Sequence, residues 1–399
     1  MARKPKRDLT VEEQLARGPL DLPFLMLTML LLGVGLIMMF SASFATAYYN
    51  DGDPLVYIKN QAVYAAAGVV VMFLVSKINY QTFRLLSVPG IVAAILLLVL
   101  ALSPLGVELN EVKRWVRIGP IQFQPSEVAK VAVILFFATR LSKRDTEKKK
   151  KWSRRTLTGR TLERLDRIGF LELVPYGAIL MVIALLMLME PHMSGTILVL
   201  AGGASVLFAA GISLGWFAAG GTLISAALWF IITQTPYMTA RINLWLDPWA
   251  QRQGDGFQTV QSLLAIGSGG LLGLGLGKSR QKFLYVPEPE NDFVFPIVAE
   301  ELGFIGAVVV LLLFSLLIMR GYWLALHARD KFGALTIVGI ITLLAVQVFL
   351  NVGVVTNLIP NTGISLPFFS YGGTALMIQL AEMGIVLSIS RQIPAPKND

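Results

Sequence analysis

The stretch PEPENDFVFPIVAEELGFIG, residues 287–306, places five carboxylates before and inside the start of a long apolar run. They are Glu288, Glu290, Asp292, Glu300 and Glu301. The run is long enough to cross a membrane, and acidic side chains at membrane depth are costly unless they serve a function. This stretch therefore predicts a membrane helix with a functional site at its beginning.

The composition of the whole chain indicates a helical protein that crosses the membrane many times. Of its 399 residues, 55% are hydrophobic and only 15% are charged, whereas a soluble domain carries about 25% charged residues. The mean hydropathy is +0.66. The chain has no cysteine, which excludes disulfides and thiolate chemistry, and its two histidines are too few for a His-built metal centre.

Ten apolar stretches follow one another along the chain, and they predict an all-α fold with ten transmembrane helices. They cover residues 22–44, 56–75, 85–102, 128–141, 171–189, 196–210, 214–233, 293–319, 334–357 and 372–389. The ten-helix domain, residues 20–391, lies between polar tails at 1–19 and 392–399. The first stretch is too long for the apolar region of a cleaved signal peptide, so we expect it to remain as a helix.

Lysine and arginine residues between the spans set the expected orientation. The N-terminal tail carries five of them, and the segment 142–169 carries eleven. With ten spans, both segments and both termini fall on one side, which we assign to the cytoplasm. The basic loop 142–169 is typical of an orientation signal lying against anionic lipid, so the net charge of +9 does not indicate a nucleic-acid partner. The segment 234–291 then becomes the fourth extracytoplasmic loop, and connections of this length are usually functional.

Asp292 stands just before the eighth predicted helix and is a candidate general base, together with Glu288 and Glu290. Alone, it could simply cap the eighth predicted helix. Glu288 and Glu290 alternate with prolines just before it, and a carboxylate partly desolvated among like charges has a raised pKa that suits a base. Because adjacent helix positions face different ways, we expect one of Glu300 and Glu301 to bind across the bundle and the other to be structural. Glu300 is therefore counted as a candidate substrate contact.

Candidate cations lie at the start of the fourth predicted span, in FQPSEVAK, residues 123–130. Glu127 and Lys130 share a helix face, either neutralising each other during insertion or holding Lys130 ready to bind a phosphate. Upstream, KRWVRIG contains Arg114. This basic run is either an ordinary interfacial anchor or a pyrophosphate site, since arginine binds phosphate in a bidentate manner.

Two irregular segments, GLGLGKS at residues 273–279 and NTGISLPFFSYGGTALM at residues 361–377, are rich in helix breakers. The first resembles a phosphate-binding loop, but Leu272 stands where that motif needs glycine, so ATP binding is excluded. We expect its glycines to allow close packing, with Lys278 and Lys282 as further anion donors. We expect the second segment to lie against protein or a cavity, because lipid does not tolerate exposed irregular backbone.

Four segments, in this order, resemble the SEDS family of shape, elongation, division and sporulation proteins. They are RWVRIGPIQFQPSEVAK, EPHMSGT, GFQTVQSLLAIGSGGLLGLGLGKSRQKFLYVPEPENDFVFPIVAEELGFIG and NVGVVTNLIPNTGISLPFFSYGG, within a resemblance that spans residues 22–391. The resemblance implies a ten-helix peptidoglycan glycosyltransferase that polymerises lipid II on the outer face of the bacterial cytoplasmic membrane. By the same match, Asp292 is the catalytic aspartate, and Glu127 and Lys130 are the paired residues of the QPSE-x-AK motif.

The resemblance also implies partners and a cellular role. The partners would be a class B penicillin-binding protein transpeptidase and other membrane proteins of the division complex, at the division septum. The PHMSGT and PEPEND forms are closer to FtsW- or SpoVE-type members of Gram-positive bacteria than to RodA-type members. No cofactor is certain, although a divalent cation, Mg or Mn, is compatible with the chemistry. A lipid II flippase, or the same polymerase acting in elongation or sporulation, remains an alternative, but the absence of a detectable internal repeat weighs against a transporter.

Overall fold

The protein is described by a computed structural model that covers residues 18–109, 112–119, 121–144, 169–234, 236–254, 256–283 and 285–393. The N-terminal tail, most of the basic loop 142–169 and most of the C-terminal tail lie outside these ranges. The expectations for those three segments therefore stay predictions.

Within the described residues, apolar helices occupy the positions of all ten predicted spans. They are α1 Leu22–Asp51, α2 Val56–Lys77, α3 Phe83–Leu102, α4 Pro125–Leu141, α5 Phe170–Met189, α6 Met193–Ala209, α7 Leu214–Gln234, α10 Val294–Leu326, α11 Lys331–Val355 and α12 Gly373–Ser390. The segment 234–291 contributes two further helices, α8 Pro236–Leu246 and α9 Phe257–Ser268. Seven of the ten are each long and apolar enough to cross a membrane. The predicted helical, multi-pass architecture is confirmed.

Aspartates explain where two of the long helices begin. The carboxylate of Asp21 caps α1 by accepting the backbone N–H three residues later at 3.0 Å. Asp330 caps α11 in the same way, accepting the N–H of Gly333 at 2.9 Å. The Asp330 carboxylate also accepts from the Tyr80 hydroxyl at 3.0 Å and pairs with Arg84 at 2.7 Å. One side chain thus fixes the start of α11 against the chain that enters α3.

The helices pack around a continuous buried core to which α1, α2, α4, α10, α11 and α12 contribute. α10 packs on α1 and α11, α11 packs on α6, and α12 lies along α2. Gly68 on α2 and Gly384 on α12 mark the close approach of that last pair. A Cβ added at Gly384 would lie 2.6 Å from the Met72 carbonyl oxygen. Small residues permit such contacts, and close van der Waals packing is a main source of helix association in lipid.

The connection between α3 and α4 forms a small antiparallel sheet, which was not predicted from the sequence. Its strands are β1 Gly106–Leu109, β2 Val112–Ile118 and β3 Ile121–Phe123, in the order β1-β2-β3. Successive side chains of a strand point to opposite faces. Lys113 and Arg117 therefore lie exposed on one face of β2, while Arg114 and buried Val116 share the other. The sheet separates Arg114 from its basic neighbours.

Helix α10 is broken at Gly303, whose φ of 71° and ψ of −174° are not helical. The glycine-rich segment 269–275 fits against this break, and its Leu274 N–H donates to the Glu300 carbonyl oxygen at 3.0 Å. A Cβ at Gly273 would lie 2.2 Å from the Glu301 carbonyl oxygen, so only glycine permits this approach. The expected close packing of the glycine-rich segment is confirmed.

Candidate active site

Four connections meet where α10 begins, and they enclose a cavity of about 310 Å³. They are the sheet-bearing connection before α4, the turn between α5 and α6, the segment 287–292 and the segment 361–372 that precedes α12. In a chain of ten alternating spans, all four connections fall on the same side of the membrane as the 234–291 segment, and their meeting around one cavity agrees with this.

The cavity brings together four predicted site residues from three separate parts of the chain. Asp292 comes from the segment before α10, Arg114 from β2, and Glu127 and Lys130 from the first turn of α4. Glu382 of α12 lines the same cavity. The structure therefore places a candidate base and two candidate phosphate-binding cations around one space.

Asp292 lies partly buried at the mouth of α10, with its backbone and side chain in different environments. Its carbonyl oxygen accepts from the Asn351 side-chain amide at 2.8 Å, whereas no described residue donates a hydrogen bond to its carboxylate. Burial raises the pKa of Asp292 to about 6, the negative charge of Glu288 adds to this effect, and Arg114 opposes it. A carboxylate that titrates near neutral pH and is free of hydrogen-bond donors is suited to accept a proton.

Arg114 is anchored by the turn that follows α5. Its Nε donates to the Glu190 carbonyl oxygen at 3.0 Å, and a terminal nitrogen donates to the carbonyl oxygen of Pro191. Burial lowers the pKa of Arg114, and the carboxylates of Glu190 and Asp292 oppose that effect. The guanidinium is thus held as a fixed positive charge close to the candidate base, with its remaining N–H groups available to a ligand.

Lys130 is only 4% exposed, and its ammonium lies 2.7 Å from the Glu127 carboxylate. Both side chains line the cavity together with Glu382. A buried ammonium remains charged when a carboxylate compensates it, and removing that partner is strongly destabilising. The pair therefore keeps a positive charge in the cavity wall, and both earlier interpretations, neutralisation and phosphate binding, fit this geometry.

The cavity wall formed by residues 361–372 is irregular backbone held in place by side-chain amides from three helices. Two amides of α11 donate to carbonyl oxygens of the wall: Gln347 donates to Ser365 at 3.1 Å, and Asn351 donates to Ile364 at 2.6 Å. Two further amides accept from backbone N–H groups of the wall. Gln379 of α12 accepts from Phe368 at 3.0 Å, and Gln61 of α2 accepts from Gly372 at 3.2 Å. Irregular backbone at membrane depth needs such partners. Most of these amides were not predicted as functional residues, although a polar amide within an apolar span is a signal that the sequence contains.

The turn between α5 and α6 contributes His192 to the cavity. This residue is only 9% exposed and lines the cavity, because Arg114 of β2 holds the turn against the sheet by donating to the Glu190 carbonyl oxygen. Burial lowers the pKa of His192 to about 3, and the charges of Arg114 and Lys130 act in the same direction. Glu190 is 1% exposed, and burial raises its pKa to about 8. His192 is therefore neutral at physiological pH.

The structure does not bring three of the predicted substrate contacts, Glu300, Lys278 and Lys282, to this cavity. Glu300 is fully buried and accepts from the Arg280 N–H at 3.0 Å. Lys282 is buried and pairs with Glu301 at 3.0 Å, whereas Lys278 is exposed on a turn. Glu300 and Glu301 thus both bind the 277–282 loop, whereas only one of the two was expected to bind across the bundle. The break in α10 explains this, because it lets the glycine-rich chain pass within reach of both.

Among the described residues, no three His, Asp or Glu side chains converge in a way that could hold a metal ion. Magnesium usually keeps several water ligands and binds through substrate phosphates with one or two carboxylates. A divalent cation that takes part in the reaction would therefore be held mainly by phosphate oxygens of the substrate.

The fold and the cavity define a multi-pass membrane protein with a charged cavity at one end of its helical bundle. The family model FTSW_RODA_SPOVE, described as a cell cycle protein, matches residues 22–394, and the chain belongs to this family. Stage V sporulation protein E of Bacillus subtilis (strain 168) is 42% identical over 373 residues, which are 93% of this chain and 97% of that protein. A probable peptidoglycan glycosyltransferase FtsW of Geobacter metallireducens is 37% identical over 375 residues, covering 94% of this chain and 95% of that protein.

Solved structures share the same architecture. A chain from a peptidoglycan synthase complex, studied for the coordination of polymerization and crosslinking, superposes with a TM-score of 0.74 at 28% identity and covers 95% of this chain and 99% of that chain. The rod shape determining protein RodA of Thermus thermophilus superposes with a TM-score of 0.64 at 28% identity, covering 94% of this chain and 98% of that chain. The resemblance seen in the sequence motifs is confirmed over nearly the full length.

Proposed function

We propose that this protein is a peptidoglycan glycosyltransferase that polymerises lipid II into glycan strands, with Asp292 as the catalytic base. The observation that carries the proposal is the cavity in which the Asp292 carboxylate faces the same space as Arg114 and Lys130. A base beside two cations suits a reaction that removes a hydroxyl proton and releases a pyrophosphate. The FtsW relatives, which are named as probable peptidoglycan glycosyltransferases, support the same reaction class.

The proposed step is a direct displacement. Asp292 accepts the proton of the 4-hydroxyl of the acceptor N-acetylglucosamine, and that oxygen forms a bond to the anomeric carbon of the donor N-acetylmuramic acid. The bond between this carbon and the pyrophosphate oxygen breaks, and the polyprenyl pyrophosphate leaves with the electron pair. The product is a β-1,4 linkage with inversion. A positioned general base contributes about 10²–10⁴-fold to such a rate.

Arg114 and Lys130 are proposed to stabilise the negative charge that develops on the leaving pyrophosphate. Such preorganised charge is commonly the largest catalytic contribution, because it needs no rearrangement during the reaction. Arg114 is fixed by two carbonyl oxygens, and Lys130 is fixed by Glu127. Glu127 therefore acts through Lys130 as a positioning residue.

We also propose on which face of the membrane the cavity opens, where in the cell the protein acts and which proteins it binds. The cavity opens on the extracytoplasmic side of the bacterial cytoplasmic membrane, and both termini lie in the cytoplasm, as the basic residues between the spans indicate. We place the protein at the division septum, with a class B penicillin-binding protein transpeptidase and other division-complex membrane proteins as partners. The match to a chain of a peptidoglycan synthase complex supports a transpeptidase partner.

The decisive experiment is polymerisation of labelled lipid II by the purified protein, with and without a cognate transpeptidase whose own active site is disabled. Asp292→Asn keeps the size of the side chain and removes the base, so glycan strands should disappear. Asp53→Asn is the matched control, because the Asp53 side chain is 42% exposed and lies at the same end of the bundle, outside the cavity. Strands from the wild type and the control alone support the proposal, and strands from Asp292→Asn at the wild-type rate refute the assignment of the base.

A lipid II flippase is the outcome that would replace the proposal. Liposomes that contain the protein and fluorescent lipid II would then show translocation while glycan strands are absent from every sample.

The cellular role is tested separately by depletion in the source organism. Filamentous cells indicate division, rounded cells indicate elongation, and a defect confined to spores indicates sporulation.

A further inference from the structure

A second cavity, also of about 310 Å³, lies between α1 and the loop 276–283 and shares no lining residue with the first. Its lining is almost wholly apolar: Ile37, Phe40, Ser41, Phe44, Leu276, Gly277, Lys282 and Phe283. Four of these side chains are large, apolar and between 39% and 55% exposed. The cavity therefore opens on the lipid-facing surface of α1, and we call it the α1 groove.

The loop that forms one side of the α1 groove carries three cations and no carboxylate. Lys282 is neutralised by Glu301 at 3.0 Å. Lys278 and Arg280 are exposed, and neither side chain makes an ion pair with a described residue. An apolar groove beside two uncommitted cations complements a lipid that joins a hydrocarbon chain to an anionic phosphate group.

The position of this loop relates the α1 groove to the candidate active site. Lys282 is held by Glu301, which lies seven residues along α10 from Val294, the first residue of the helix. At the rise of an α-helix this is about 10 Å. Asp292 lies two residues before that start, so the loop sits roughly one disaccharide length deeper in the bundle than the candidate base.

We propose that the α1 groove binds the polyprenyl chain of the acceptor lipid-linked saccharide, with its pyrophosphate beside Lys278 and Arg280. This inference rests on the proposed function, because polymerisation joins two lipid-linked saccharides while the cavity at Asp292 provides cations for the one that leaves. From the α1 groove, the disaccharide extends along α10 and carries its distal hydroxyl to Asp292. The groove is a binding site only, and no bond is made or broken there.

The first test is photocrosslinking in nanodiscs of zwitterionic phospholipid. A photoreactive phenylalanine analogue replaces Phe283 in the α1 groove, and in a matched control it replaces Leu30, which is similarly exposed on α1 but outside the groove. The probe is radiolabelled lipid II. We expect crosslinking at position 283 that undecaprenyl pyrophosphate displaces and phosphatidylglycerol does not. Equal displacement by phosphatidylglycerol, or equal crosslinking at both positions, overturns the proposal.

The second test is kinetic and uses substrates of two chain lengths. Ile37→Trp fills the α1 groove, whereas Leu30→Trp adds the same bulk two helical turns away on the same face. We expect Ile37→Trp to raise the KM for long-chain lipid II about tenfold and to leave the KM for a short-chain analogue unchanged, since burial of the chain supplies the lost affinity. An unchanged preference for the long chain overturns the proposal.

A charge-removing variant guards against a folding artefact. The double variant Lys278→Gln/Arg280→Gln should reproduce the higher KM, while Arg252→Gln, an exposed cation of the same 234–291 segment, should not. Identical KM values for both variants refute the role of the two cations. Crosslinking does not require turnover. If the wild type makes no glycan, the proposed function fails, but the crosslinking result still shows whether the α1 groove binds the lipid chain.

Discussion

The raised pKa of Asp292 predicts how the reaction rate depends on pH. A general base works only when ionised, and burial together with the nearby charge of Glu288 raises the pKa of Asp292 from 3.8 to about 6. At about pH 5, one unit below this value, roughly a tenth of the molecules carry the ionised base, whereas with an ordinary aspartate about nine-tenths would. The polymerisation rate should therefore fall about tenfold between neutral pH and pH 5.

Glu288→Gln separates the two causes of that shift. Removing the charge of Glu288 should move the acid limb of the pH profile to lower pH. The limb should not reach the value of an ordinary aspartate, because burial is the larger cause and remains. Glu108→Gln is the matched control, since Glu108 is an exposed glutamate on β1 and the change in charge is identical.

The assay is the initial rate of lipid II polymerisation at constant ionic strength, with substrate both limiting and saturating. The profile of kcat/KM reports the free protein, in which the pKa of Asp292 applies. A profile that stays flat from neutral pH to about pH 5 would refute the raised pKa. A limb that moves equally in both variants would show that Glu288 acts only through the net charge of the surface.

Three further outcomes follow from the geometry of the cavity. Gly363→Ala should abolish polymerisation, because a Cβ there would lie 3.2 Å from the Asp292 carboxylate. Gly52 lies outside both cavities and has a similar positive φ with open space around it, so Gly52→Ala should cost only about 1 kcal/mol of stability and keep activity. Arg114→Lys should lower the rate more than about tenfold although the charge is kept, because a lysine cannot donate to two carbonyl oxygens and a phosphate in a fixed plane. The control Arg117→Lys, at an exposed arginine, should behave as wild type. A carboxyl whose pKa is raised by folding costs up to about 3 kcal/mol of stability when ionised and nothing when protonated. The Asp292→Asn variant should therefore unfold at a higher temperature than the wild type at pH 7, and at the same temperature below about pH 4. An unchanged unfolding temperature at pH 7 would contradict the burial of that charge.

The helices could be predicted from sequence because lipid leaves the chain few choices. An apolar run in a membrane must satisfy its own backbone, so each of the ten runs became a helix. The sheet at 106–123 could not be predicted in this way, because its strands are short and their pairing depends on neighbours across a turn. Strand preference is set largely by such context.

The candidate site was predictable where charge stood out against an apolar background. Asp292, Glu127 and Lys130 were visible for that reason, and the structure gathers them around one cavity. Charge alone does not reveal a partner, however. Lys282 and Glu300 looked like substrate contacts, but Lys282 pairs with Glu301, and Glu300 accepts from the Arg280 N–H. Which cations remain available to a ligand depends on long-range contacts that no local pattern encodes.

The wall of residues 361–372 has a consequence for inhibitors. Several of the groups that this wall fixes in place are main-chain carbonyl and amide groups, held by distant amides such as Asn351 and Gln379. A compound that donates hydrogen bonds to the carbonyl oxygens of this wall would bind atoms that every amino acid carries. Resistance would have to arise at the supporting amides, and each such change would leave buried main-chain groups unsatisfied. Variants that resist such a compound would therefore be less stable than the wild type.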